Sequence, residues 1–117
     1  MRSINRVAIV IRPKQAFFEW AKTLEGEPLG NPQVWCSVYL VEASEDEEPL
    51  RTLQRQFKSI FEEQLESWHR IEADWPSPRP FALFEAWFDA EVADMVFDLS
   101  NGVIEYDELG ATHYVPT

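Results

Sequence analysis

The feature that most constrains the fold is the stretch from residue 81 to residue 99, where acidic residues are interspersed with the most apolar residues of the chain. From Pro80 to the C-terminus the sequence has eight carboxylates and neither Lys nor Arg. Carboxylates are rarely buried without partners, so these must face water, pair with bases from elsewhere in the chain, or meet a cationic partner. The stretch therefore predicts an element with one apolar side and one acidic side.

The spacing of the apolar residues in this stretch fits both a strand and a helix. Even positions from 82 to 92 are apolar, and after Val92 the apolar residues move to odd positions, which is the phase change that a β-bulge produces. A helix is the alternative, because apolar residues also recur every three or four positions and Ala, Glu and Met favour helices. We predict a bulged strand or two short strands, since a helix would place Phe97 on its polar side.

The first half of the chain alternates strand and helix patterns. Residues 4–11 are rich in Val and Ile and predict an inner strand, and residues 14–24 have apolar residues at helical spacing. A second strand is predicted over residues 34–41, parallel to the first. Ser44 is predicted to cap a long amphipathic helix that ends near Trp68, with the four acids after Ser44 in its first turn.

Together these elements predict a small two-layer α/β (α+β) domain with a βαβα start. Its long second helix packs on a sheet that residues 83–99 complete. A chain of 117 residues has the usual length of one domain. We predict that residues 1–117 form a single domain, with residues 103–117 as a flexible tail.

The net charge of −11 is distributed unevenly along the chain. Residues 1–24 carry +4 and residues 80–117 carry −8, and residues 25–50 contribute −7 more. Such a field repels nucleic-acid backbones and anionic membranes and favours basic partners. The one cysteine, Cys36, gives no sign of an oxidising compartment. We therefore predict a cytoplasmic protein that binds neither nucleic acid directly nor membranes.

Two bases stand at the predicted start of the first helix. Arg12 and Lys14 flank Pro13, although cations at a helix N-terminus oppose the helix dipole. One interpretation is an anion-binding site, in which the two side chains and the free backbone N–H groups hold a phosphate or a carboxylate. The alternative is that both bases pair with the abundant acids of this chain.

The acids of the C-terminal third are the candidate partner-binding residues. Alternate carboxylates such as Asp89 and Glu91 would share one strand face, and Asp94 and Asp98 continue the series. A divalent-cation site or an acid/base pair is the alternative, but the stretch has no Asp-rich loop of EF-hand spacing and no Gly at the required turn. We predict no metal and no cofactor.

Two further arrangements contain residue types that occur in catalytic sites, but they are weaker evidence for a site than the charged residues above. Glu66 and His69 form half of a di-iron motif, but such sites need a second Glu-x-x-His, and the only other histidine is His113. Cys36 and His69 would be a nucleophile pair, but a thiol in mid-strand is ordinarily buried and inert. We therefore predict no catalytic residue.

Three tryptophans, Trp68, Trp75 and Trp87, lie close together in the sequence. If they are exposed, they mark a partner surface, because Trp is enriched at the energetic centres of interfaces. If they are buried, they fill a thin two-layer core. We predict that Trp87, which lies within the acidic stretch, is one of the partner-binding residues.

Several segments together resemble a family of small acidic uncharacterised bacterial proteins. They are VIRPKQAFFEW, VYLVE, FEEQLESW, DWP and EAWFDAEVADMVFDL, and they fall within residues 7 to 99. The resemblance implies a bacterial, cytoplasmic, single-domain protein. It brings no activity, cofactor or binding residue with it.

The charge distribution predicts a non-enzymatic acidic module that presents the carboxylates of its C-terminal third to a basic protein, as an inhibitor, an immunity protein or a nucleic-acid mimic would. An enzyme or ligand-binding domain is the alternative, with an anion held by Arg12 and Lys14 and a carboxylate acting as base. A homodimer is a third possibility, in which the aromatic segment of one chain is buried against the same segment of a second copy.

Overall fold

The computed structural model of the chain describes residues 1–24 and 35–108. Three helices and two antiparallel sheets make up this part, which confirms the predicted α+β domain. The strands are β1 (Arg2–Ile4), β2 (Val7–Pro13), β3 (Ser37–Val41), β4 (Phe88–Ala93) and β5 (Val96–Asp98). The helices are α1 (Gln15–Lys22), α2 (Pro49–Trp68) and α3 (Phe81–Trp87), and a short 3₁₀ turn spans Glu72–Asp74.

β2 is the central strand of a three-stranded sheet of order β3–β2–β4. Its Val- and Ile-rich sequence predicted an inner strand, and Ile9 and Ile11 are completely buried. The predicted parallel pairing is wrong, because β3 runs antiparallel to β2, with Ile11 opposite Ser37. The chain enters β3 beside the end of β2, so it runs back along β2 instead of crossing to its start.

The second sheet continues the first beyond a β-bulge. Ala8 pairs with Ala93 in the β2–β4 ladder, whereas Ile4 pairs with Val96 in the β1–β5 ladder. The three residues 5–7 therefore face only two residues, 94 and 95. One extra residue on one of two paired strands defines a β-bulge. This bulge explains the change of apolar phase after Val92.

The prediction of strands over the acidic stretch is correct only for its second part. β4 and β5 are strands, but residues 81–87 form α3. Pro80 occupies the N-cap position, and its carbonyl accepts hydrogen bonds from the N–H groups of Leu83 and Phe84. Helical spacing then places Phe81 and Phe84 together against Phe57 of α2.

The three helices cover one face of the three-stranded sheet. The apolar stripe of α2 was predicted to comprise Leu50, Leu53, Phe57, Ile60, Phe61 and Leu65. All of these except Leu50, which is exposed, pack into one cluster with the buried residues of β2, α1, α3 and β4. The opposite face of the sheet, here called the outer face, bears the residues that alternate with the buried ones. They are Val10, Arg12, Val38, Leu40, Asp89 and Glu91.

α2 begins four residues later than the sequence indicated. Pro49 is its first residue and Glu48 its N-cap, which has no side-chain capping bond. Proline suits the first helical position and disfavours helical dihedrals in the residue before it. Ser44 is therefore not the cap, and the four acids that follow it form a loop before the helix.

Hydrogen bonds between side chains tie β3 to α2. The Tyr39 hydroxyl donates to a carboxylate oxygen of Glu63 and accepts a bond of 2.7 Å from Gln64, which also bonds Ser37. Burial, and then the bond to Glu63, raise the pKa of Tyr39 well above its ordinary value. The edge strand is thereby fixed on the long helix.

Some predictions fall outside the described residues. Val34, where the second strand was expected to begin, and residues 109–117 of the predicted tail lie there. Residues 103–108 have no regular secondary structure. Within the described ranges, no helix is both long enough and apolar enough to cross a membrane.

Replacing Phe84 by Ala should reduce the free energy of unfolding by about 3–5 kcal/mol, because this side chain is fully buried among Phe57, Phe61 and Phe88. Urea denaturation followed by Trp fluorescence measures the change. Phe97→Ala is the matched control, since Phe97 is 52% exposed and its loss should cost far less. Equal effects of the two substitutions would contradict the described core.

Candidate acidic binding site

Strand pairing brings the basic N-terminus of the chain against its acidic C-terminal third. Arg2 lies 3.1 Å from Asp98 across the β1–β5 ladder, and Lys14 lies 3.7 Å from Asp89 beside β4. In each ion pair at least one of the two side chains is exposed to solvent, so the pair contributes little to stability. Two of the candidate partner-binding carboxylates thus have a base of the same chain as neighbour.

Arg12 and Lys14 both lie beside acids at one end of the sheet. The Lys14 ammonium donates a hydrogen bond of 2.8 Å to the backbone carbonyl of Glu85. Arg12 stands opposite Asp89 in the β2–β4 register and is exposed, without an ion pair to any described residue. The two bases share a solvent-exposed surface with carboxylates, and their role in anion binding stays a prediction.

The remaining candidate carboxylates occupy two separate places. Glu91 lies on the outer face in the same phase as Asp89, as the alternation predicted, while Asp94 lies in the bulge. Both are exposed, and neither has an ion pair among the residues that the structure describes. Asp94 therefore belongs to a different surface from Asp89 and Glu91.

A groove of about 700 Å³ lies at the bulge, between the loop before α2 and the junctions of the strands. Five carboxylates and one guanidinium line it together with aliphatic side chains and Met95, and this apolar part of the lining is here called its floor. The charged lining residues are Arg6, Glu45, Asp46, Glu47, Glu48 and Asp94. The apolar lining residues include Ile4, Val7, Val92 and Met95.

Arg55 of α2 holds the acidic wall of the groove in place. Its guanidinium donates two bonds to the Glu47 carboxylate, the shorter of 2.8 Å, and one of 2.6 Å to the Glu42 carbonyl. The Thr52 hydroxyl, buried in α2, donates a further bond of 2.6 Å to Glu47. The loop that carries Glu45, Asp46 and Glu48 is thus anchored at both ends.

These bonds favour the ionised form of Glu47. The hydrogen bond from Arg55, and then the one from Thr52, lower the pKa of Glu47 below its ordinary value of 4.5. Glu45, Asp46 and Glu48 are exposed and have no ion pair within the described part of the chain. One carboxylate therefore fixes the loop, and its three neighbours remain accessible to a ligand.

The tryptophans lie at the margin of the core. Trp87 is half-buried between Phe17, Trp20 and Phe61, and Trp68 packs against Trp35. Trp75 donates a hydrogen bond of 2.7 Å from its indole to the His69 carbonyl. Trp68, Trp75 and Trp87 are therefore neither exposed nor fully buried, and each packs against the core from its margin. Contact between Trp87 and a partner stays a prediction.

The residues with catalytic chemistry are not brought together. His69 pairs with Asp74 at 2.7 Å, and within the described ranges no three His, Cys, Asp or Glu residues are placed to hold a metal ion. Cys36 is exposed, so the prediction of a buried thiol is wrong. It precedes β3 in the phase of the outward-facing Val38 and Leu40, which explains its exposure.

Comparison with known proteins gives no match to a family model, a curated protein or a solved structure. The geometry of the chain itself is therefore what indicates its function. The resemblance to small acidic bacterial proteins stays a prediction.

Replacing Glu47 by Gln should destabilise the protein at neutral pH and matter progressively less in acid. A carboxylate whose pKa is lowered by folding contributes stability above its unfolded pKa, and this contribution is lost as the pH falls through the folded pKa. Urea denaturation from about pH 7 to about pH 3 measures the difference from the wild type.

Glu45→Gln is the matched control for this experiment, because Glu45 belongs to the same loop and has no ion pair among the described residues. It should leave the stability close to that of the wild type. A Glu47→Gln difference that stays constant from neutral to acid pH would show that the bonds from Arg55 and Thr52 do not act through the charge of Glu47.

Proposed function

We propose that this protein is a non-enzymatic acidic module that binds a basic protein partner. The observation that carries the proposal is the groove at the bulge, where accessible carboxylates surround an apolar floor. Its single lining base, Arg6, lies 3.6 Å from Glu42 and is thus already beside an acid. The groove is therefore a concentrated source of negative potential on a chain of net charge −11.

Such a surface acts in two stages. At a distance, the summed negative field attracts a basic protein and increases the rate of encounter, and this effect weakens as salt screens it. At contact, charge pairing sets the orientation of the partner, and burial of apolar side chains supplies part of the affinity. The outer-face acids Asp89 and Glu91 add to the attraction at a distance.

The cytoplasm is the compartment that we propose for this module. An exposed Cys36 is the only cysteine of the chain, and exposed free thiols persist where the surroundings are reducing. A bacterial origin belongs to the same proposal, on the strength of the sequence resemblance.

The immobilised protein should capture a basic protein from a bacterial lysate at low salt and release it as salt rises from about 0.05 to about 0.5 M. The capture depends on long-range charge, so a variant with four carboxylates neutralised should capture much less. The substitutions are Glu45→Gln, Asp46→Asn, Glu91→Gln and Asp94→Asn. Mass spectrometry identifies the eluted proteins.

The four substituted residues are exposed and have no ion pair in the described ranges, so the variant should fold like the wild type, which circular dichroism checks. If no basic protein is captured, or if the capture is the same at both salt concentrations and in both proteins, the proposed function is wrong.

A further inference from the structure

We infer that the groove at the bulge binds an extended segment of the partner in which Lys or Arg alternates with apolar residues. This inference rests on the proposed function and specifies its ligand. It follows from three properties of the groove: its apolar floor, the placement of its acids on two walls, and the interruption of the strand ladders beside it.

The floor of the groove favours an apolar side chain of the ligand. Met95 is 60% exposed there, and Val7 and Val92 beside it are half-buried. A methionine side chain is flexible and adapts its shape to different apolar groups. A surface that attracted only charge would gain nothing from an exposed methionine between carboxylates, whereas covering Met95 removes apolar surface from water.

The acids that line the groove come from two segments, here called its walls. Glu45, Asp46 and Glu48 belong to the loop before α2, and Asp94 belongs to the bulge. No three His, Cys, Asp or Glu residues of the described chain are placed to hold a metal ion, so these carboxylates do not converge on one compact cation. Carboxylates that come from two segments suit several cationic side chains along a bound segment better than one ion.

The bulge also leaves backbone groups available to an extended chain. Residues 5, 6, 94 and 95 lie outside the registers of both the β1–β5 and the β2–β4 ladders. Of their backbone groups, the Asn5 carbonyl already accepts a hydrogen bond of 2.9 Å from the Arg6 guanidinium. Unpaired N–H and C=O groups beside a groove can bond to a ligand that adopts a strand conformation. In such a strand, alternate side chains point to opposite sides, so apolar residues can face Met95 while cations face the acids.

The groove needs little rearrangement to receive this ligand. Arg55 and Thr52 hold Glu47, and Arg55 also holds the carbonyl of Glu42, so the acidic loop is fixed before binding. Binding to a surface that is already ordered avoids the entropy cost of ordering it.

Two labelled peptides of equal charge and length test the inference by fluorescence anisotropy. In one, Lys alternates with Leu; in the other, Lys alternates with Ser. The wild type should bind the Lys–Leu peptide about tenfold more tightly, since only this peptide covers the apolar floor. Equal affinity for the two peptides, or binding of neither, would overturn the inference.

Two double variants with equal loss of charge locate the site. Asp46→Asn with Asp94→Asn, on the two walls of the groove, should weaken binding of the Lys–Leu peptide about tenfold at low salt. Asp89→Asn with Glu91→Gln, on the outer face, should change it less than about twofold. If the outer-face pair weakens binding as much as the groove pair, the inference is wrong.

Two substitutions of exposed apolar residues by Ser test whether the floor binds the apolar side chains of the peptide. Met95→Ser should remove the preference for the Lys–Leu peptide over the Lys–Ser peptide, while Leu99→Ser, which is also exposed but lies beyond the groove, should preserve it. A preference that survives Met95→Ser would overturn the assignment of the floor. Failure of these peptide tests together with salt-sensitive capture of a basic protein would leave the proposed function intact and reject only the groove.

Discussion

The position of β2 between β3 and β4 is the constraint on which the rest of the structure depends. Its buried Ile9 and Ile11 supply the sheet side of the core, and the strands on either side run antiparallel to it. The pairing with β4 brings the basic N-terminal segment beside residues 88–93 of the acidic C-terminal third. It also sets where the ladder must slip by one residue, and this slip creates the groove.

The same pairing decides which acids are available to a partner. Asp89 and Asp98 come to lie beside Lys14 and Arg2, so the opposite charges of the two chain ends partly compensate each other. Within the described residues, the loop before α2 has two basic neighbours, Arg55, which bonds Glu47, and Arg6, which lies beside Glu42. Among the described residues, the accessible carboxylates of Glu45, Asp46, Glu48 and Asp94 therefore gather where the loop meets the bulge, apart from the acids of β4.

Patterns of apolar residues predicted the parts of the fold that depend on burial. The central strand, the apolar stripe of α2 and the strands in the second part of the acidic stretch follow from such patterns, whereas the helix over residues 81–87 was not predicted. Strand direction did not follow from them, because the path of the connection sets it. The loop before α2 was missed because its four acids suit a helical first turn, and only Pro49, which restricts the conformation of Glu48, marks the true start. The groove combines distant segments that no local pattern connects.

Mapping of amide chemical shifts by NMR, with the Lys–Leu peptide added, tests the central claim most directly. The account predicts that the largest changes cluster at residues 4–7, 43–48, 92, 94 and 95, which line the groove. Smaller changes should accompany them on the outer face, at Arg12, Val38 and Glu91. The largest changes on the outer face, with the groove residues unshifted, would contradict the account.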